Sequence, residues 1–215
     1  MRHGILSTSI SIGLLANAIA VASFAQYRLS AGKLDSDGLP TTSAQICLGA
    51  TSKGKCYTPP SEKYAFGLEP EAHTVAKLNG KDLILFTATF SGGGSGTLTD
   101  FALLKEQNKG FINLLPVVQL TNQSEYRVWH LPRFSSLPVL VTADFVWGFQ
   151  AKETHFAAHH FEINVYVFDA QSGRYLQRVH YVTAKKYSGL DDSESIQVLD
   201  PERPAILVKL QRLSD

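Results

Sequence analysis

HTVAKLNGKDLILFTATF, residues 73–90, is the stretch on which the fold turns. Asn79-Gly80 separates two runs of strand-forming residues, and this pair accepts the positive φ angles of a two-residue type I′ turn. His73 to Leu78 and Lys81 to Phe90 therefore read as a hairpin. A second hairpin follows at once: Asp82 to Phe90, the glycine-rich Ser91-Gly92-Gly93-Gly94-Ser95-Gly96-Thr97, and Leu98 to Lys105. Further strand-like runs are Phe111 to Leu120, Glu125 to Leu131, Leu137 to Trp147, Phe161 to Asp169 and Tyr175 to Thr183. In one of them Phe161, Ile163, Val165 and Val167 alternate with Glu162, Asn164 and Tyr166, the pattern of a sheet with one wet face. The breaks at Thr121-Asn122-Gln123, Pro132, Gln171-Ser172-Gly173 and Ser188-Gly189 carry turn chemistry.

Toward the end of the chain the period changes. Asp200 can cap a helix with Pro201 in its first position, and Ile206, Leu207, Leu210 and Leu213 then share one stripe. Pro204 is near enough to the start to be tolerated. The expected fold is mainly β, of the α+β class: an antiparallel sheet or sandwich of about seven to nine strands with one C-terminal helix packed on it. A pure β-sandwich ending in a strand is the alternative.

In the other direction, residues 26–67 are rich in Ser, Thr, Gly, Pro and Lys and show no sustained apolar period. They read as an extended arm, with Pro59-Pro60 as a stiff turn, ahead of a single β-rich domain over 68–215. Residues 1–25 read as a signal peptide. Arg2 is followed by an uncharged run from Gly4 to Ala22, then by Ser23 and Ala25 in a small-x-small cleavage pattern. The run approaches membrane-spanning length, but Ser7, Ser9, Ser11 and Asn17 interrupt it and no positive cluster follows. The expected location is thus periplasmic or secreted, with no transmembrane segment after cleavage.

Cleavage after Ala25 removes Arg2 and no acid, so the remaining 190 residues carry 19 basic and 19 acidic side chains. A balanced chain has no global field to hold it on nucleic acid or an anionic membrane, and nucleic acid is not an expected partner. Cys47 and Cys56 are the two cysteines. In an exported chain an even count favours a disulfide, here a local staple for the arm. Free thiols or a redox pair are the alternatives, though the spacing is not C-x-x-C.

Two stretches could carry function. The loop from Ser91 to Thr97 holds four glycines in seven positions, an ordering cost that a plain hairpin tip does not require. It lacks the lysine and the following helix of a phosphate-binding loop. It suits a slim tip inserted into a partner's cleft, or a flexible connection with no role. The second stretch gathers His155, His159 and His160 with Glu153 and Glu162. On a helix His155 and His159 would share a face at a spacing useful for zinc. Phe156, however, stands where a zinc-protease helix needs glutamate. His160 and Glu162 would share one face of a strand. Asp144, inside the apolar run from Val139 to Trp147, must be hydrogen-bonded or lie near a strand end. It reads as a turn cap rather than as support for a site beside His155. No Gly-x-Ser-x-Gly elbow is present.

Leu78-Asn79-Gly80, the strand Leu83 to Phe86, the Ser-Gly loop and Asp100-Phe101 at the head of the next strand together resemble the periplasmic inhibitors of invertebrate-type lysozyme, as does Asp200-Pro201 before the terminal helix. The resemblance covers about thirty residues and the tail. It implies a Ser-Gly loop that plugs a lysozyme's active-site cleft, with Ser95 as the contact and Gly94 and Gly96 shaping the tip. The chain departs from that pattern in its greater length, its Cys47–Cys56 arm, and Thr97-Leu98 where an aromatic residue is expected. Tyr57-Thr58-Pro59-Pro60 and Asp144-Phe145-Val146-Trp147-Gly148 are similar to stretches of exported bacterial proteins of unassigned function. The expectation is a non-enzymatic exported binding protein with a protein partner in the cell envelope, a lysozyme being the one implied, with no cofactor. Ser91, Gly94, Ser95, Gly96 and Thr97 are its candidate contacts. A metal-dependent hydrolytic protein using His155, His159 and His160 is the first alternative, and a structural envelope protein the second.

Overall fold

The computed structural model describes residues 27–49, 55–60, 63–92, 96–108, 110–146, 157–188 and 196–213. Residues 1–25, read as a signal peptide, lie outside them. The Asn-Gly turn forms as its chemistry dictates: Asn79 and Gly80 have φ angles of 53° and 75°, and the turn joins β4 (Leu68–Leu78) to β5 (Lys81–Ser91). β5 pairs in turn with β6 (Thr97–Gln107). The run expected as one strand from Phe111 to Leu120 is two, β7 (Gly110–Asn113) and β8 (Val118–Thr121), each paired with a different part of β6. Pro116 lies in the break, and Asn113 organises it by accepting from the amides of Leu103 and Leu115 at 3.1 and 3.0 Å. A proline lacks the N–H a continuous ladder needs.

Before this sheet come β1 (Tyr27–Ser30), β2 (Gln45–Leu48) and β3 (Cys56–Tyr57), an antiparallel sheet in that order. After it come β9 (Glu125–Trp129), β10 (Val139–Phe145), β11 (Phe161–Asp169) and β12 (Arg174–Val182), a meander in the order β12-β11-β10-β9. Helix α1 (Leu199–Arg212) closes the described chain. The protein is mainly β with antiparallel sheets and one C-terminal helix, as expected.

Alternation along the strands stacks these elements in four layers. Ile84, Phe86, Ala88, Ala102 and Leu104 on one face of β5 and β6 meet Ala44, Ile46 and Phe66 of the N-terminal segment. Leu83, Leu85, Phe101 and Leu103 on the other face meet Leu140, Tyr166 and Tyr175 of the second sheet. The far face of that sheet, with Val141, Phe161, Ile163 and Val165, meets Val198, Leu199, Ile206 and Leu210. Each Val, Leu, Ile or Phe side chain among them contributes about 1.5–3 kcal/mol when fully buried. β11 therefore has no wet face along its middle: Tyr166, 7% exposed, packs against the central sheet, and Asn164, 8% exposed, is bonded by Gln177 and His180 of β12.

The segment read as an arm is thus a covering layer. Its first crossing requires glycine, because a Cβ on Gly32 would lie 1.8 Å from the Thr42 carbonyl oxygen and 2.8 Å from the Gly67 Cα. The amide of Gly32 donates to the Gly67 carbonyl at 2.8 Å across this contact. Cys47 and Cys56 face each other across β2 and β3 and form the expected disulfide.

The helix departs from expectation at its start. Val198 occupies the N-cap and no side chain of the helix's own N-terminus caps it. Glu125 of β9 does so instead, accepting from the amides of Val198 and Leu199 at 2.6 and 2.8 Å, with Arg127 2.8 Å away as its ion-pair partner. A carboxylate there satisfies donors that no helical carbonyl reaches and complements the helix dipole. Ile206 and Leu210 of the expected stripe are buried, whereas Leu213 is exposed. Glu202 anchors the helix to the sheet by accepting from the hydroxyls of Tyr181 and Tyr187 at 2.8 and 2.5 Å. Burial first, and then the Glu202 carboxylate, push both phenols well above the ordinary tyrosine range.

Candidate functional site

The glycine loop sits on the longest regular hairpin of the fold. β5 and β6 stay in register from Leu83↔Lys105 to Ser91↔Thr97 without a bulge. One more hydrogen bond, from the Gly92 amide to the Gly96 carbonyl at 3.3 Å, continues the closure beyond the last strand pair. Of the expected contacts, Ser91, Gly96 and Thr97 thus belong to a hydrogen-bonded stem. Gly94 and Ser95 lie outside the described residues.

The stem is braced from both sides. Phe90 stacks on Tyr64 of the covering layer with ring centroids 4.6 Å apart. Across the stem, hydroxyls face each other at 3.4 Å in the pairs Thr89/Thr99 and Ser91/Thr97. The Thr97 carbonyl accepts from the Asn122 amide at 3.1 Å, which ties the stem to the turn after β8. That turn includes Gln123, with φ of 66°.

Asp144 builds the turn. One of its oxygens accepts from the amide and hydroxyl of Thr121 at 3.0 and 2.7 Å, from the Ser124 hydroxyl at 2.5 Å and from the Phe145 amide at 2.9 Å. It is a turn-organising group, as the sequence suggested. Beyond it the Val146 amide donates to the His160 carbonyl at 3.0 Å. The glycine stem, the 121–124 turn, the end of β10 and the start of β11 therefore form one hydrogen-bonded rim at one end of the molecule.

The histidines on this rim do not converge. His159 is 1% exposed, its backbone bonds reciprocally with Tyr187, and its ring packs 4.0 Å from that of Phe145. The next side chain points the other way, as extended backbone requires. His160 Nδ1 lies 2.8 Å from the Thr183 carbonyl oxygen, which can only accept, so Nδ1 carries the proton. Glu162 pairs with His180 rather than His160, at 3.3 Å, and His180 Nδ1 also lies 3.0 Å from Asn164 Oδ1. His155 and Glu153 lie outside the described residues. Among the described residues no group of three or more His, Cys, Asp or Glu side chains is placed to hold a metal ion.

A further constellation escaped the sequence reading. Asp100 of β6 is 2% exposed beneath the covering layer, beside Tyr57, and accepts from Gln119 Nε2 at 3.3 Å. Burial pushes its carboxyl up to about 7, with the Gln119 bond opposing the rise. Burial and the Asp100 charge together push the Tyr57 phenol above the ordinary range. The alternation of β6 places Asp100 on the face of Ala102 and Leu104, and that parity was a signal available in the sequence. The residues that bury it come from elsewhere in the chain.

Comparison with family models, with curated proteins and with solved structures finds no match to this chain.

Proposed function

We propose that the protein is an exported, non-enzymatic binding protein that engages a protein of the cell envelope through the tip of the β5–β6 hairpin. A lysozyme-like cell-wall hydrolase is the proposed partner. The observation that supports this reading is the stem: eleven residues in each strand, paired without a bulge to Ser91↔Thr97 and braced by Tyr64 and Asn122. A slim loop on a rigid stem enters a cleft with little loss of freedom, because the stem is already ordered. The Ser91 to Thr97 loop has only hydroxyls and backbone to offer, which suits hydrogen bonding inside a polar cleft rather than chemistry. Export follows from the leader and agrees with the Cys47–Cys56 disulfide.

The test is inhibition of chicken-, goose- and invertebrate-type lysozymes by the protein purified without its leader. Inhibition of at least one class is expected, with loss of about tenfold or more in affinity for Ser95→Trp while the far-ultraviolet spectrum is unchanged. Absence of binding and inhibition across all three classes would refute the lysozyme reading.

A further inference from the structure

Beside the stem lies a cleft of about 310 Å³, lined by Pro60, Lys63, Tyr64, Phe66, Val117 and Gln119. That volume is at the lower end of small-molecule sites. Of these, Phe66 is 1% exposed, and the Tyr64 ring is held against Phe90. Val117, also in the lining, is 72% exposed, an apolar side chain with no core to enter. Lys63 Nζ lies 4.9 Å from the Tyr64 ring centroid, and among the described residues it is the charged member of the lining. Gln119 supplies the polar contact, its amide held by the buried Asp100 behind it.

We propose that this cleft binds a small aromatic carboxylate. The ring lies between Tyr64 and Val117 over Phe66, and the carboxylate meets Lys63. The buried Asp100 carboxyl holds the Gln119 amide in place at the cleft and spends one of its donors there.

The test is a titration of the ¹⁵N-labelled protein with indole-3-acetate, beside 3-methylindole, which has the ring alone, and acetate, which has the charge alone. Saturable shifts are expected at the amides of Tyr64, Val117 and Gln119, with both controls about tenfold weaker or more. Lys63→Gln and Val117→Asp, both at exposed positions, are each expected to weaken binding about tenfold without disturbing the rest of the spectrum. The proposal is overturned by the absence of saturable shifts, by shifts that map to another surface, by equal affinity for 3-methylindole, or by full affinity in both variants.

Discussion

Asp100 shows how one residue can set the pH response of a whole layer. Its carboxyl has a folded value of about 7 against 3.8 for the ordinary group. The unfolded chain therefore releases this proton at lower pH than the folded one. The associated stability is complete below about pH 4, declines as pH rises toward 7 and is gone above it. Asp100→Asn is expected to remove this decline, with the variant's advantage growing from nothing near pH 4 to about 4 kcal/mol at pH 8. Urea midpoints of both proteins at the two pH values measure it. A constant difference would place the carboxyl in water rather than under Tyr57 and Phe66. The strand carrying Asp100 was readable, and so was its parity. Its burial was not, because the covering segment shows no apolar period of its own. Asp144 is the opposite case: Thr121, which it holds through both amide and hydroxyl, lies in a turn that the sequence already marked.

At the scale of elements, α1 separates local from remote control. Asp200 and Pro201 satisfy the local pattern of a helix start, yet the bonds to the first amides come from Glu125, 73 residues earlier. Glu125→Ala is expected to cost about 2 kcal/mol, since it removes a cap and leaves buried donors without a partner. Asp200→Ala, which keeps that cap and loses only a favourable charge near the dipole, is expected to cost about 0.3 kcal/mol. Chemical denaturation of the two variants distinguishes these roles, and a larger loss in Asp200→Ala would restore the local cap. The same contrast explains the split of the 111–120 run. Apolar content made it look continuous, while Pro116 and the Asn113 carboxamide redirect its bonds so that β7 and β8 reach separate parts of β6.

For the whole molecule, the disulfide governs how the outer layer stays in place. β3 has two residues, and Cys56 is one of them. Tyr57, the other, meets Phe86 edge-on at 6.0 Å and lies beside Asp100. Loss of the bridge in Cys47→Ala/Cys56→Ala is expected to destabilise the protein by about 2–3 kcal/mol. Hydrogen exchange should rise first at β2, β3 and the central-sheet amides beneath them, and last in β10 and β11. Uniform exchange would mean that the four layers unfold as one unit.

Local chemistry was sufficient for β4–β6 and β9–β12, the Asn79-Gly80 turn, the terminal helix, the Cys47–Cys56 pairing and the place of the glycine loop. Each of these depends on neighbours a few residues away, through φ preferences, alternation or a short covalent loop. Packing alone settled which faces are covered: Tyr166 looks solvent-facing in β11 until the central sheet lies over it. Packing also drew His159 into the core, gave Glu125 to a distant helix, and set Asp100 behind Gln119 at the wall of a cleft. Those outcomes depend on surfaces brought together from separate parts of the chain, and no local pattern specifies which surfaces meet.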